Sequence, residues 1–225
     1  MRNRVEALQG EYRLRFSNSG QYRNDVWKIL CDHYFIRFIP PEAHVLDLGS
    51  GYGEFINNIN AAHKYAMDLN ADAGSQLSGD TSFLHQDCSQ EWQIQSNYLD
   101  VVFTSNFLEH LPDKDSVERT VSEAHRCLKK DGLIICLGPN IKYVPGEYWD
   151  FWDHFVPITD LSLSELLTMT GFCIQLKIPR FLPYSMSTGK TPPLSLVKWY
   201  LRLSFLWPFW GKQYLVVGRK AASLE

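Results

Sequence analysis

The chain has 225 residues, 45% of them hydrophobic, with a formal net charge of −3 and five cysteines. That length holds one domain, or one domain with an elaborated end, and enough apolar residues to bury a core. The slight acidity gives no sign of a nucleic-acid binder. Cys31, Cys88, Cys127, Cys136 and Cys173 lie too far apart to pair as metal ligands, so they are expected to be reduced and mostly buried in a cytoplasmic protein.

Residues 1–42 read as an N-terminal helical lid segment, and 43–220 as the main domain. Met1 to Arg15 is polar and charged, without a signal-peptide pattern. From Tyr22 a helical period runs through Val26, Ile29, Leu30, His33 or Tyr34, and Phe38, and stops at Pro40-Pro41. Tyr12, Phe16, Tyr22 and Trp27 are either lid residues over a ligand or packing under a surface helix. The first strand, about 43–48, ends in Asp47-Leu48 and enters Gly49-Ser50-Gly51-Tyr52-Gly53-Glu54, followed by an expected helix through Phe55, Ile56 and Ile59. Glycines at every second position mark a tight turn where backbone approaches a ligand.

A dinucleotide-binding turn wants glycine at position 54, where this chain has Glu54. A carboxylate in the first turn of the following helix repels pyrophosphate but tolerates a cation. S-adenosylmethionine, with its hydroxyls, α-ammonium and sulfonium, meets that requirement. Lys64 to Asp68 forms a second strand, and Asp68 stands 21 residues after Asp47, near the ~20-residue spacing at which an acid meets ribose hydroxyls. Helix capping is the alternative role for Asp68. A third strand, Thr81 to His85, leads to Asp87-Cys88, an acid placed for an adenine amino group.

Leu99 to Ser105, nearly all apolar, reads as a parallel strand covered on both faces. It delivers Asn106-Phe107-Leu108-Glu109-His110-Leu111-Pro112 to the carboxyl end of the sheet, where ligands bind in such folds. A helix over about 114–129 presents Val117, Val121, Ala124 and Leu128, with Asp131-Gly132 ending it. The fifth strand is 133–137, and an aromatic stretch follows from Tyr143 to Phe155. Ser162 to Glu165 reads as a capping box opening a helix that stops at Gly171. Strands at 172–178 and 213–217 close a mainly parallel, seven-stranded α/β sheet with helices on both faces and an antiparallel last strand.

Between those two strands lies an aromatic-rich insertion at about 182–212. Pro192 to Trp210 is too interrupted by proline and charge to span a bilayer. Three readings stand for it: peripheral contact with the inner face of the membrane through 192–210, anchored by Trp199, Trp207 and Trp210; packing on its own domain; or pairing with a second copy as a homodimer.

Together these motifs resemble the Rossmann-like class I S-adenosylmethionine-dependent methyltransferases, of the type-11/12-like group, from about 43 to 140. Tyr52 to Asn57, Ser105 to Leu111, Gly138-Pro139-Asn140, Tyr148 to His154 and Phe181 to Tyr184 are similar to a bacterial family associated with glycan or lipopolysaccharide assembly. The resemblance implies that Asp47, Gly49, Gly51, Gly53, Asp68 and Leu69 hold the cofactor, that Asp87 and Cys88 meet the adenine, and that Asn106 and Phe107 face the transferred methyl. It implies a transferase for a glycan or small-molecule acceptor. Quinone-pathway O-methyltransferases carry two glutamates and a histidine after strand four; here Asn106 replaces the first glutamate, so no metal is expected.

Methyl transfer is an in-line displacement in which alignment is worth about 7 to 11 kcal/mol. For a hydroxyl acceptor the candidate bases are His154 and His110, oriented by Glu109 or Asp153. A short-chain oxidoreductase would need a tyrosine followed four residues later by lysine, and no tyrosine here has it. A nucleic-acid amino-methyltransferase would need an Asn/Asp-Pro-Pro-aromatic run, also missing. A non-catalytic cofactor-binding protein and a natural-product or quinone-like methyltransferase remain the alternatives.

Overall fold

Alternation of apolar side chains along the strands builds two hydrophobic layers, one on each side of a single sheet. In the computed structural model, residues 20–184 and 191–221 are described. The strands are β1 (His44–Leu48), β2 (His63–Asp68), β3 (Thr81–His85), β4 (Leu99–Ser105), β5 (Leu128–Pro139), β6 (Phe172–Ile178) and β7 (Gln213–Lys220). Their spatial order is β3-β2-β1-β4-β5-β7-β6. β1 to β5 pair in parallel, and β7 runs antiparallel between β5 and β6. The helices are α1 (Gly20–His33), α2 (Lys114–Cys127), α3 (Asp160–Met169), α4 (Leu194–Arg202) and α5 (Trp207–Trp210).

On one face Leu46, Met67, Val102, Ile134 and Val216 pack under Val117 and Val121 of α2 and Leu163 and Leu167 of α3. On the other, Val45, Ala66, Phe103, Ile135 and Val217 pack under Val26 and Leu30 of α1 and Leu201 of α4. Each of these Val, Leu, Ile, Phe and Met side chains stabilises by about 1.5 to 3 kcal/mol when fully buried relative to exposure. Chain order reverses at β1, between β2 and β4, which opens a crevice at the carboxyl ends of β1 and β4.

Three local expectations are corrected. The segment after the glycine turn is only a 3₁₀ turn, Ile56–Asn58, not an α-helix. Asparagine side chains take over the backbone's bonding there: Asn57 Nδ2 donates to Gln76 O and Asn58 Nδ2 to Glu54 O. α2 ends at Cys127 rather than 129, because Leu128 turns into the core as the first residue of β5 and Lys129 Nζ binds the Asp100 carboxylate at 2.8 Å. The capping box of α3 is Thr159 with Ser162, one turn earlier than expected, which leaves Glu165 exposed in the helix interior.

Candidate active site

The turn after β1 needs glycine at three places, with φ of 69° at Gly49, 53° at Gly51 and 76° at Gly53. A Cβ on Gly49 would also meet the Phe107 ring at 2.2 Å. Gly49 N donates to Met67 O at 2.9 Å, tying the turn to the end of β2. Asp68 completes the tie: its Oδ2 accepts from Gly51 N and its Oδ1 from Asn70 N, both at 2.8 Å. Asp68 therefore holds the turn's shape, a role the sequence did not reveal, and one lone pair per oxygen is left for another donor. Beside it Asp47 is buried, and Glu54 pairs with Arg23 of α1 at 2.6 Å. Glu54 therefore meets no helix dipole, since no α-helix begins there, and its charge is met by Arg23.

The end of β4 turns sharply. Asn106 sits at φ 49°, and its Oδ1 is buried with no hydrogen-bond partner among the described residues. Glu109 is 1% exposed, with neither carboxylate oxygen bonded among the described residues. Its backbone carbonyl accepts from Phe155 N and Val156 N, stitching this turn to the aromatic stretch after β5. Through that stitching Asp153 reaches His110: the imidazole Nδ1 lies 3.1 Å from Asp153 Oδ2 and 3.0 Å from Asp153 O. His154, 6% exposed, stacks on Phe151 at 4.9 Å and meets the His110 ring at 4.8 Å. Of the two acids that could orient an imidazole, Asp153 is the one paired with His110.

Burial, reinforced by Glu54, raises the Asp47 carboxyl well above its ordinary value. Burial also raises Asp68, against the pull of its backbone donors. Glu109 is raised by burial despite neighbouring His110. Burial opposes the charged form of His110, but the Asp153 carboxylate and then Glu109 outweigh it and the net shift is upward. The Cys88 thiol is pushed up to about 12 by burial.

A cavity of about 400 Å³ gathers these groups, within the usual size range for small-molecule sites. Asp47, Gly49, Gly51, Asp68, Leu69, Asp87, Cys88, Asn106, Phe107, Glu109, His110 and His154 all line it. Gly53 does not: a Cβ there would meet Leu77 and Asn57, so it shapes the turn from behind. Phe151, Trp152, Phe155 and Tyr184 also form its wall, whereas Tyr148 is fully buried beneath, its hydroxyl bonded to Val156 O. Trp27 lines the cavity while packing edge-on to Phe103, so it is both wall and core. Tyr22 instead bonds Pro192 O at 2.6 Å, and Tyr12 and Phe16 lie outside the described residues. Arg23 and Gln213 were not foreseen, since nothing local in the sequence links either to the turn. Glu109, His110 and His154 place ligand atoms within 4.8 Å of one another, donor types suited to a divalent ion, and His154 joins this group from the aromatic stretch rather than from the segment after β4.

A family model described as a methyltransferase domain matches residues 22–175. The chain belongs to that methyltransferase family. No curated protein matches it. Among solved structures, a chain of the complex between the Haloferax volcanii Trm112 methyltransferase activator and its methyltransferase superposes with a TM-score of 0.68 at 16% identity, covering 99% of this chain and 100% of that one. A SAM-dependent methyltransferase from Archaeoglobus fulgidus gives 0.66 at 20% identity, over 91% and 99% of the two chains. A methyltransferase from Bacillus halodurans gives 0.65 at 17%, over 86% and 99%. The sheet order and the antiparallel β7 match the Rossmann-like methyltransferase fold.

The methyltransferase uses S-adenosylmethionine, and the cavity suits it. Asp47, Asp68 and Asp87 line one end, and the Arg23 cation there is already paired with Glu54. Such a wall favours a cationic ligand over a phosphate. The unbonded Asn106 Oδ1 offers a further acceptor, and the missing Cβ at Gly49 lets the Phe107 ring close against the turn.

Proposed function

We propose that this methyltransferase methylates a hydroxyl of a glycan or glycolipid-type acceptor, with His110 as the general base. The observation that carries this is the His110–Asp153 pair at 3.1 Å, at the base of an aromatic wall. Asp153 engages Nδ1, which fixes the imidazole so that Nε2 is the atom presented to an acceptor. The net upward shift suits a group that takes a proton near neutral pH. Phe151, Trp152 and Tyr184 offer flat faces to a sugar ring, and His154, stacked on Phe151, positions that wall. Glu109 beside the pair favours the imidazolium once the proton has moved.

At the other end Asp68 accepts the ribose hydroxyls, Asp47 and Asn106 Oδ1 accept from the α-ammonium, and Asp87 with Cys88 borders the adenine. Gly49 and Gly51 supply backbone without side chains, and Phe107 and Leu69 close over the ligand. When bound, the cofactor supplies an electrophilic methyl on a sulfonium. α1, with Trp27 and Arg23, is one wall of the site and the element proposed to act as its lid.

The test incubates purified protein with methyl-labelled cofactor and lysate fractionated into lipid, glycan and small-molecule pools. Label in the glycan or glycolipid pool, lost in His110→Ala, is expected. Label only in the small-molecule pool replaces the acceptor class, and tight S-adenosylhomocysteine binding with no label in any pool favours a non-catalytic binder.

A further inference from the structure

The insertion between β6 and β7 divides its apolar residues in two. Leu194, Val197, Leu201 and Trp207 face inward onto the core layer that contains α1, and Tyr200 bonds Phe181 O at 2.6 Å. The other half points out: Leu196 is 56% exposed, Trp199 58%, Phe205 65%, Phe209 72% and Trp210 58%. Packing on the insertion's own domain is satisfied and still leaves five large apolar side chains in water.

Charge identifies the occupant. The insertion holds no aspartate or glutamate, and although Lys212 is paired with Glu147, Lys198 and Arg202 have no acidic partner among the described residues. Trp199 stands on the outer face of α4 with exposed Lys198 beside it and exposed Arg202 one turn on. Apolar and aromatic side chains flanked by cations, without an anion in the segment, match the interface of an anionic bilayer. No helix among the described residues is long and apolar enough to cross a membrane, so the contact is peripheral.

The topology aims this face. β7 starts at Gln213, opposite Pro139 at the carboxyl end of β5, so the insertion hangs at the end of the sheet that carries the cavity. Arg180 Nη2 donates to Phe209 O at 3.0 Å and Gln213 Nε2 to Pro183 O at 2.9 Å, fixing the outer face to the strap that delivers Tyr184 to the cavity wall. We infer that residues 194–210 are an interfacial anchor that seats the enzyme on an anionic lipid surface, with the cavity held near the headgroups. This goes beyond the proposed base chemistry and does not depend on it.

The test is co-sedimentation of the full chain with vesicles of phosphatidylcholine alone and of phosphatidylcholine with phosphatidylglycerol in equal parts. Binding to the anionic vesicles only is expected, weakened by salt. The double substitution Lys198→Ser/Arg202→Ser should reduce it about 30-fold. Trp199→Ser/Phe209→Ser should abolish it while thermal unfolding and S-adenosylhomocysteine affinity stay as in the parent. Absence of binding to anionic vesicles overturns the inference, as does binding that both double substitutions leave intact. A dimer in analytical ultracentrifugation that Trp199→Ser/Phe209→Ser dissolves, with no vesicle binding, assigns the face to a second copy instead.

Discussion

Replacing Asp68 by asparagine tests how the site is built, because the carboxylate is expected to serve two partners at once. In the apo protein it accepts from Gly51 N and Asn70 N, each at 2.8 Å. An asparagine has one acceptor oxygen, so either orientation of its amide leaves one backbone N–H facing a donor. An unsatisfied buried donor costs about 1 to 3 kcal/mol. Asp68 is itself raised by burial, so losing its charge offsets part of that cost, and a net loss of about 1 kcal/mol is expected. For a domain of this size that lowers Tm by about 2 to 4 °C. Cofactor binding loses more: one charge-assisted bond to a ribose hydroxyl is worth about 1.5 to 3 kcal/mol, or roughly 10- to 150-fold in Kd. Calorimetry with S-adenosylhomocysteine gives the affinity and a thermal melt gives the stability. A variant that melts a few degrees lower yet binds within twofold of the parent would refute the ribose assignment and leave Asp68 as a purely structural tie.

Gly49→Ala places a Cβ 2.2 Å from the Phe107 ring at φ 69°; backbone strain of about 1 to 2 kcal/mol and overpacking of about 1 to 3 kcal/mol should both appear in the melt, and adding Phe107→Ala should recover only the second. Because Asp47 and Asp68 are both raised, the native apo protein holds more protons than the unfolded chain between the two carboxyl ranges, so apo stability falls as pH rises through the raised values. The α-ammonium that S-adenosylhomocysteine shares with the methyl donor favours the ionised acids, so S-adenosylhomocysteine should bind more tightly over that same rise and release protons, which calorimetry in buffers of different ionisation heat detects; a flat profile refutes it. His110→Ala should lower kcat by about 10²- to 10⁴-fold with S-adenosylhomocysteine affinity unchanged, whereas His154→Ala should mainly raise the acceptor KM. Turnover should survive EDTA, since Asn106 stands where a second carboxylate would complete a hard-cation site; a loss restored by added metal would instead make Glu109, His110 and His154 ligands.

The strands and the glycine turn were legible because both signals are local. Val45 to Leu48 and Leu99 to Ser105 are apolar runs of strand length, and the spacing of Gly49, Gly51 and Gly53 meets a backbone requirement that no other residue satisfies cheaply. The helix after the turn was misread because Ile56 and Ile59 have helical spacing, while Asn57 and Asn58 find bonding partners across the fold in Gln76, Ser78 and Asn24. Such partners are invisible to a period count. The α2–β5 boundary failed similarly: Lys129 and Lys130 look like a helix C-terminus until Asp100 of β4 captures Lys129.

For the site, residue types and chain positions determined which side chains reach the carboxyl end of the sheet, because each follows a strand directly. The sequence by itself therefore determined the fold class and which acids and glycines line the cavity at the carboxyl end of the sheet. Only the tertiary structure decided that Asp153 pairs with His110, that Arg23 neutralises Glu54, and that four of the six aromatics between 192 and 210 stay in solvent. Those three outcomes depend on contacts between segments far apart in the chain, and side-chain direction across a packed interface is set by the whole fold rather than by any local pattern.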